Sequence, residues 1–267
     1  MYHEVTEADR IDGIAQRIQR GYIATVAEFE AQIAWLYGNG FRAVGLSDVV
    51  DALVAGAEVP HDCVVISFDD GFVGNHEYAL PILAKYGATA TFFVVTNKIG
   101  QPGMMSWAQL EDLVHAGCEV QSHTANHPLL STLDGQETLA ELRESKAQIE
   151  ARLGTRCDLL SLPNGDTNPH LEQAAAGCGY RASCGSTFGF NEVRSSRVAP
   201  LERIAIKGGL ALSDFERIVL RDPSLTRTLR RKAALKATIV ALMGKKGYDR
   251  VYNSLFGVAE QDHRRKQ

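Results

Sequence analysis

Apolar residues recur along the chain in two spacings that alternate, and this alternation predicts the fold class. Between residues 25 and 184, segments with apolar residues three or four positions apart take turns with short runs of consecutive apolar residues. The first spacing is typical of amphipathic helices and the second of buried strands. Strands that alternate with helices form parallel sheets with right-handed crossovers. We therefore expect an α/β fold, either an open doubly wound sheet or a closed barrel.

Seven strands are predicted, and most of them are followed by a helix. The polar pattern of residues 1–22 predicts no element. The predicted strands are Phe41–Val44, Cys63–Phe68, Thr89–Val95, Cys118–Ser122, Asp158–Leu162, Tyr180–Cys184 and Arg203–Ile206.

The predicted helices begin at residues that can cap a helix. Thr25 with Glu28, and Ser106 with Gln109, have the spacing of a capping box. Ser47 is expected to cap a helix that runs to about residue 55, and Ser213 is expected to cap the last one. Three further helices are predicted over Glu77–Tyr86, Leu133–Leu153 and Pro169–Gly177.

Composition is that of an ordinary globular chain long enough for a large core, with 267 residues, 45% hydrophobic and 22% charged. The five cysteines are odd in number and form no CxxC pair, which suits a reducing compartment. No signal peptide and no apolar run of membrane-span length is visible. We therefore expect a cytoplasmic protein.

Charge is unevenly distributed along the chain. The net charge of −4 gives no reason to expect a nucleic-acid partner, but residues 221–250 hold nine Lys or Arg against two Asp. Apolar residues lie between the basic ends of Lys232–Lys246, as in helices that bind membrane surfaces. Residues 227–250 are therefore expected to contact a membrane peripherally, at its inner face. The alternative is a helix that packs on the protein with a solvated basic face.

Polar residues with catalytic potential follow two of the predicted strands. Asp69 and Asp70 end one strand, and His123 and His127 follow another. Chemistry in parallel α/β folds gathers at the carboxyl ends of strands. Two His and one carboxylate are typical of catalytic zinc, and the second Asp can accept a proton from water. One helical turn would place both imidazoles on one face. The alternative for the Asp pair is an Asp-Gly turn.

These motifs resemble those of the polysaccharide deacetylases, the NodB-homology or carbohydrate esterase family 4 group. The segment Ser67–Gly71 resembles the first motif of that family, and Ser122–Pro128 resembles its H-[ST]-x-x-H-P motif. The segment Leu162–Asp166 is similar to its proline-led loop, with Asn164 in place of the usual Tyr. Two shorter segments, Tyr2–Val5 and Leu201–Ile204, resemble members associated with exopolysaccharide and surface-glycan synthesis.

The resemblance implies a distorted (β/α)7 barrel over residues 1–212, followed by a basic helical extension over 213–267. The implied activity is a metal-dependent hydrolase that removes an acetyl group from an N-acetylated sugar. Its implied substrate is a glycan or a lipid-linked glycan precursor of surface polysaccharide or lipopolysaccharide synthesis. Relatives carry an apolar strand before the Tyr-His segment, so further chain upstream of Met1 is expected.

The resemblance also implies roles for individual residues. Asp69 would be the general base that activates water, and the backbone N–H of Asn164 would stabilise the oxyanion. Pro163 and Asn164 would contact the substrate. The implied ligands of a divalent metal, most simply Zn²⁺, are Asp70, His123 and His127.

Aromatic side chains could contribute to substrate binding. Trp107 and either Phe188 or Phe190 could stack on a sugar, and the alternative for each is packing in the core or at its edge.

Two departures from the family pattern leave questions open. Ser161 stands where the family has an Arg that steadies the catalytic Asp; Arg203 is a candidate substitute, with a simple ion-pairing role as the alternative. The late Leu-x-x-His motif that supplies the general acid is absent, and the sequence identifies no other residue as the acid. His3, through the Tyr2–Val5 resemblance, and His76, through its closeness to the Asp pair, are weaker candidates for the site, with a structural or solvated role as the alternative. Two other functions therefore stay open: hydrolysis of a small non-sugar amide, and glycan binding without catalysis.

Overall fold

The structure is a computed structural model, which describes residues 1–14, 18–191 and 200–231, and seven residues between 234 and 247. The chain divides into two compact units, Met1–Glu216 and Arg217–Gln267. Helix α8 (Leu212–Val219) includes this boundary and also the predicted one after residue 212. The predicted division into a deacetylase domain and a basic extension stays a prediction.

Nine short strands occur within the described residues. Five form one parallel sheet in the order β5-β6-β7-β8-β9, and the other four form two parallel pairs, β1 with β2 and β3 with β4. The strands are β1 (Glu4–Thr6), β2 (Ile23–Thr25), β3 (Arg42–Ala43), β4 (Cys63–Val64), β5 (Ser67–Phe68), β6 (Thr91–Val94), β7 (Glu119–Ser122), β8 (Leu159–Ser161) and β9 (Ala182–Cys184).

Two irregular segments close the five-stranded sheet into a ring. At one edge Tyr2 bridges Phe68 in parallel, and its N–H donates to the Ser67 carbonyl at 2.7 Å. At the other edge Leu201 bridges Cys184. The N–H of Ile206 then donates to the Met1 carbonyl at 2.9 Å, which joins the two segments. With five strands and two closing segments, the predicted distorted (β/α)7 barrel is confirmed.

The predicted strand Arg203–Ile206 is wrong as a strand. Only Leu201 makes a sheet bridge there. The N–H of Arg203 donates to the Thr187 carbonyl, whereas that of Ile206 donates to Met1, so the segment shares its hydrogen bonds between two neighbours. Residues 1–22, for which the sequence predicted no element, supply β1 and one of the two closing segments.

Helices connect most of the successive strands, and each crossover within the five-stranded sheet brings the chain back to start the next strand in the same direction. They are α1 (Ile11–Ile14), α2 (Val26–Gly38), α3 (Leu46–Ala55), α4 (Leu80–Tyr86), α5 (Trp107–His115), α6 (Gly135–Leu153), α7 (Pro169–Gly177) and α8 (Leu212–Val219). Residues 223–231 are also helical. Within the described residues, no helix is both long and apolar enough to cross a membrane.

Both predicted capping boxes are present. The Glu28 N–H donates to Thr25 Oγ1 at 3.1 Å, and the Thr25 N–H donates to the Glu28 carboxylate at 2.8 Å. Ser106 and Gln109 repeat this reciprocal pair. Such caps satisfy N–H groups that have no partner inside the helix. The two capping boxes therefore determine where α2 and α5 begin.

Three other predicted helix starts differ from the structure. Ser47 is the second residue of α3, because the Glu119 carboxylate, rather than Ser47, accepts the N–H groups of Leu46 and Ser47. Ser213 likewise lies inside α8, one residue after its start. The helix predicted from residue 77 is a π turn, Asn75–Ala79, followed by α4. Pro81 lies at the start of α4, where its missing N–H breaks no helical hydrogen bond.

An aromatic cluster packs helix α2 against β5, β6 and the closing segment that carries Tyr2. Phe68 stacks on Phe92 with ring centroids 4.7 Å apart, and Tyr2 and Phe29 pack on its other sides. All four rings are buried, and the Tyr2 hydroxyl donates to Gln32 at 2.7 Å. Burial of each such ring contributes roughly 2 kcal/mol or more. This packing fixes β5, whose next residue is Asp69.

Candidate active site and metal centre

The carboxyl ends of the strands bring the predicted site residues together. Asp69 and Asp70 follow β5, His123 follows β7, and Pro163 comes soon after β8. In a ring of parallel strands these ends share one side, which we call the upper rim. The opposite side, which carries the amino ends of β5–β9, is the lower rim.

Asp70, His123 and His127 form a compact group at the upper rim. One potential ligand atom from each lies within 4.8 Å of the others. The Nε2 atoms of both histidines lie 3.5 Å from Asp70 Oδ1. The imidazole rings meet edge to face, with centroids 4.8 Å apart. The three side chains therefore face a common point, as the sequence predicted.

The histidines meet through a loop, and the helical turn that the sequence suggested is wrong. Thr124 and His127 both have positive φ, at 65° and 61°, which no α-helix contains. The Thr124 hydroxyl accepts the His127 N–H at 3.0 Å and tightens this loop. Backbone strain of this kind is concentrated at functional sites and held by the surrounding structure.

A hydrogen bond at Nδ1, the ring nitrogen that does not face Asp70, fixes the orientation of the His123 ring. Its Nδ1 lies 2.7 Å from the Ser161 carbonyl. A carbonyl can only accept, so Nδ1 carries the proton and Nε2 keeps a free lone pair toward Asp70. Burial lowers the pKa of His123, and burial with the neighbouring His123 lowers the pKa of His127 to about 4. Both imidazoles are thus neutral near pH 7, the form in which histidine binds metals.

This donor set fits a divalent metal ion. One carboxylate and two neutral imidazole nitrogens converge, and an outer hydrogen bond orients one of the histidines. Three protein ligands with room for further ones are typical of a catalytic zinc site. Burial raises the pKa of Asp70, and no cationic side chain pairs with it among the described residues. A bound cation would supply that missing charge.

Asp69 lies beside this group and is held by Arg203. The guanidinium donates through Nη1 to Asp69 Oδ1 and through Nη2 to Oδ2, both at 2.8 Å. Burial alone would raise the pKa of the Asp69 carboxyl, but Arg203 and then His123 outweigh it, and the pKa falls well below its ordinary value. Asp69 is therefore a carboxylate at any working pH, with its orientation fixed by a two-pronged ion pair.

Ser161 completes the support of Asp69. Its hydroxyl donates to Asp69 Oδ2 at 3.0 Å and accepts from Arg203 Nη2 at 2.8 Å. Ser161 therefore stands where the family has an Arg. The guanidinium that holds Asp69 belongs to Arg203, in a different part of the chain. Arg203 reaches Asp69 because the closing segment Leu201–Ile206 lies next to the segment that pairs with β5.

His3 is the one further histidine that faces both aspartates within the described residues. Tyr2 pairs with Phe68, so the next residue, His3, comes level with Asp69. Burial lowers the pKa of His3, and Asp69 and Asp70 act on it in the opposite direction. Its Nδ1 is buried without a hydrogen-bond partner, and its ring packs against Tyr22 at 4.5 Å. In the sequence, His3 was indicated by the resemblance of the Tyr2–Val5 segment to members of the family.

The other predicted substrate residues have mixed placements. Pro163 is buried, and Asn164 is exposed with a left-handed backbone at φ 59°. Their predicted roles, including the oxyanion contact of the Asn164 N–H, stay predictions. Trp107 begins α5, and the Arg152 guanidinium lies 5.8 Å from its ring centroid, a contact outside the Asp/His group. His76 contacts Asp112 on α5, with Nε2 2.9 Å from Oδ2.

Phe188 and Phe190 pack against each other, with ring centroids 6.2 Å apart. Both side chains are half-buried. Their predicted stacking on a sugar stays a prediction.

Comparison with known proteins agrees with this site. Residues 56–183, which contain the Asp pair, His123, His127 and the proline-led loop, match the family model of the polysaccharide deacetylases. Residues 56–183 are thereby identified as a polysaccharide deacetylase domain. The family inferred from the motifs is thereby confirmed.

Relatives of known name belong to the same family. The chain is 27% identical over 215 residues to YxkH of Bacillus subtilis, which is named as a polysaccharide deacetylase; the match covers 80% of this chain and 73% of that one. It is 29% identical over 134 residues to the poly-β-1,6-N-acetyl-D-glucosamine N-deacetylase of Staphylococcus epidermidis. That match covers 46% of each chain, so it spans less than half of the staphylococcal enzyme.

Solved deacetylase structures share the fold. The Streptococcus pyogenes deacetylase PplD superposes with a TM-score of 0.73 at 22% identity, over 81% of this chain and 95% of that one. A polysaccharide deacetylase of Bacillus cereus superposes with a TM-score of 0.71 at 19% identity, over 82% and 67% of the two chains. The barrel is therefore of the NodB type.

Proposed function

We propose that this protein is a metal-dependent deacetylase that hydrolyses the acetamide of an N-acetylated sugar in a glycan. The observation that carries the proposal is the placement of Asp69 beside the Asp70, His123 and His127 group. A carboxylate kept ionised by Arg203 thus lies next to a site suited to a divalent cation. General-base hydrolysis of an amide needs these two features at one place.

The protein's own residues divide the work of such a reaction. Asp70, His123 and His127 would hold the metal, which when bound supplies Lewis acidity toward the acetyl carbonyl and the attacking water. Asp69 accepts a proton from that water, and Arg203 with Ser161 keeps its carboxylate aimed. The backbone N–H of Asn164 is proposed to face the oxyanion.

His3 is the proposed proton donor to the leaving amine. It faces the aspartates from the closing segment, and its buried Nδ1 has no protein partner. The proton that Asp69 takes from water would pass to the imidazole of His3 on the same rim, which donates it to the leaving amine. This assignment fills the place left by the absent Leu-x-x-His motif.

The proposed substrate is a polymer or lipid-linked precursor of a surface glycan. Support comes from the staphylococcal relatives, whose name specifies poly-β-1,6-N-acetyl-D-glucosamine. Zinc is the proposed metal, because two imidazoles and one carboxylate suit it.

Acetate release from β-1,6-linked N-acetylglucosamine oligomers tests the proposal. Purified protein treated with a chelator should lose at least ~95% of its activity and regain it with one equivalent of Zn²⁺. His3→Gln should lower kcat about a hundredfold, whereas the exposed His115→Gln is the matched control. Metal binding without acetate release from any acylated sugar would overturn the proposal and favour glycan binding without catalysis.

We also propose that residues 227–250 bring the enzyme to an anionic membrane surface on the cytoplasmic side. Parts of this segment lie outside the described residues. In the described part, Arg227, Arg230 and Arg231 line one cavity, and Leu235 and Leu242 are exposed by 62% and 81%. Basic and exposed apolar side chains together suit anionic lipid.

Co-sedimentation with vesicles tests this contact. Replacing Arg227, Arg230 and Arg231 together by Ser should weaken binding to phosphatidylserine vesicles at least ~tenfold, given about 1 kcal/mol for each basic residue near the surface. Equal binding of the wild type to neutral and anionic vesicles would contradict the proposal. Cell fractionation checks the predicted localisation.

A further inference from the structure

We propose that Lys98 makes the upper rim selective for anionic glycans, by binding a carboxylate or phosphate group next to the acetylated sugar. This inference rests on the proposed deacetylase function and specifies its substrate class. Nothing in the sequence pattern singles out Lys98, since a lone lysine in a turn is common. Its importance comes from where the fold places it.

The turn that carries Lys98 is docked on the metal-ligand loop. This 3-10 turn, Thr96–Lys98, follows β6 at the upper rim. The N–H of Thr96 donates to the Thr124 carbonyl at 3.3 Å, and that of Asn97 donates to the Ala125 carbonyl at 2.9 Å. Thr124 and Ala125 lie between the two ligand histidines. Lys98 is therefore held beside the site by backbone hydrogen bonds on both preceding residues.

Side chains reinforce this docking. The Asn97 amide donates at 3.1 Å both to Asn126 Oδ1 and to Glu144 Oε1 on α6. Glu141, also on α6, accepts the N–H and the side-chain amide of Asn126 at 2.8 and 2.7 Å. The turn, the loop and α6 thus form one connected network. A lysine on such a support loses less freedom on binding a ligand than one on a mobile loop.

The charge of Lys98 is not neutralised by the protein. Two acidic side chains of the network, Glu141 and Glu144, accept hydrogen bonds from amides. Among the described residues, no carboxylate forms an ion pair with Lys98. By contrast Lys85, on α4, pairs with Glu30 at 2.6 Å. The ammonium of Lys98, which is half-buried, is thus available to a ligand at the rim.

The electrostatics of the site agree with this position. Burial sets the main direction of the pKa shifts of Asp70, His123 and His127, and the ammonium of Lys98 adds a lowering effect on all three. The negative charge of Asp69 is already matched by Arg203. Asp70 is the remaining carboxylate near Lys98, and a metal ion held by Asp70, His123 and His127, as proposed, would match its charge and leave Lys98 to a substrate anion.

Two matched substrate pairs test the inference. One pair is the methyl glycoside of N-acetylglucosamine against N-acetylglucosamine 1-phosphate, and the other is chitotetraose against a hyaluronan tetrasaccharide, which carries carboxylates. The measured quantity is the ratio of kcat/KM for the anionic and neutral members. We expect the wild type to prefer at least one anionic member about fivefold or more in 20 mM salt, and less in 500 mM salt because ions screen the contact.

Variants identify the residue responsible. Lys98→Met should lower the preference about tenfold, Lys98→Glu should reverse it, and Lys98→Arg should keep it within about threefold. Lys85→Met, the matched control, should leave the ratio unchanged. The ratio cancels any effect of these changes on folding or metal content that both substrates share. Calorimetric titration with glucosamine 1-phosphate gives a readout independent of turnover, with about tenfold weaker binding to Lys98→Met.

The outcomes separate this inference from the proposed function. A wild type that releases acetate from neutral members at least as fast as from both anionic ones overturns the role of Lys98 and leaves the deacetylase proposal intact. So does a Lys98→Met variant with an undiminished preference. Preference for the phosphate alone, or the carboxylate alone, identifies which anion is bound. A wild type that releases acetate from none of the four compounds contradicts the deacetylase function itself.

Discussion

The two rims of the barrel both bury carboxylates, but they compensate them differently. At the lower rim Asp158 pairs with Arg181 and Arg156, and Glu119 accepts N–H groups of α3 and the Thr91 hydroxyl. At the upper rim Asp69 pairs with Arg203. Asp70 faces neutral imidazoles, and its pKa is raised by burial. The buried Asp158 of the lower rim is thus neutralised by direct ion pairs, whereas among the described residues no Lys or Arg forms an ion pair with Asp70.

The backbone shows the same difference. Among the described residues, five that are not glycine have positive φ, and four of them, Asp70, Thr124, His127 and Asn164, are at the upper rim. Each such residue costs of order 1 kcal/mol or more. The lower rim is therefore expected to contribute mainly to stability, whereas the upper rim holds the residues of the candidate active site. Substitutions at matched positions of the two rims can test that separation.

Asp69→Asn and Asp158→Asn form the pair with the largest expected difference. Both aspartates are buried and bound to arginine. Asp69→Asn should lower kcat about a thousandfold because the amide cannot accept the proton from water. Asp158→Asn should keep kcat within about threefold and lower the free energy of unfolding by about 2 kcal/mol. Acetate release and urea denaturation measure the two effects; equal loss of activity in both variants would contradict the separation.

Glu119→Ala tests the lower rim further. Its carboxylate accepts from Leu46 N, Ser47 N and Thr91 Oγ1 at 3.0, 3.1 and 2.6 Å. Removing it leaves the first turn of α3 uncapped, and the free energy of unfolding should fall by about 2 kcal/mol with activity retained at 25 °C. Glu111→Ala, at an exposed position of α5, is the control and should change stability by less than about 0.5 kcal/mol.

Glu4→Gln tests a carboxylate that is buried near the upper rim without a cation. Burial raises the pKa of Glu4 from 4.5 to about 8, and its side chain lies against Gly74, where a Cβ would collide with it. The folded state therefore holds this proton more tightly than the unfolded state. The resulting stabilisation is full below about pH 4.5 and is lost as the pH rises through about 8.

Thermal melts between pH 5 and pH 8.5 check this sign. The wild type should lose about 3 to 4 kcal/mol more than Glu4→Gln over that range, since Gln can accept the same N–H groups without ionising. A wild type whose stability rises with pH relative to the variant would contradict the raised pKa.

Asn164 is the site of the smallest expected effect. At φ 59°, glycine is favoured over residues with a Cβ. Asn164→Gly should raise the free energy of unfolding by up to about 0.5 kcal/mol, and Asn164→Ala should lower it by about 1 kcal/mol. Chemical denaturation of both variants measures the difference; equal stabilities would mean that the strain at this position is negligible.

The features that could be predicted from the sequence are local ones. The capping boxes at Thr25 and Ser106 depend on residues three positions apart. The closeness of Asp70, His123 and His127 could be expected from the strand ends, because parallel strands bring their carboxyl ends to one rim regardless of how the helices pack. The failure at Ser47 came from a contact with Glu119, 72 residues away, which no local rule contains.

Barrel closure and the support of Asp69 depend on distant contacts too. Arg203 was a candidate only through resemblance, and the 134 residues between it and Asp69 hide the ion pair from any local pattern. The closing segment that carries His3 could not be predicted either, because residues 1–22 show no periodic pattern of apolar residues. Lys98 could not be identified, since its significance lies in the docking of its turn on the ligand loop.

The two closing segments also determine when this site can form during synthesis. Phe68 to Cys184 can assemble five strands as the chain leaves the ribosome, with Tyr2 already available to pair with β5. The guanidinium that matches Asp69 is added only when residue 203 emerges. A buried carboxylate without a cationic partner is costly, so the folded position of Asp69 depends on the arrival of Arg203. The support of Asp69 can therefore be completed only after the chain has been made through residue 203, which brings the first and last segments of the ring together.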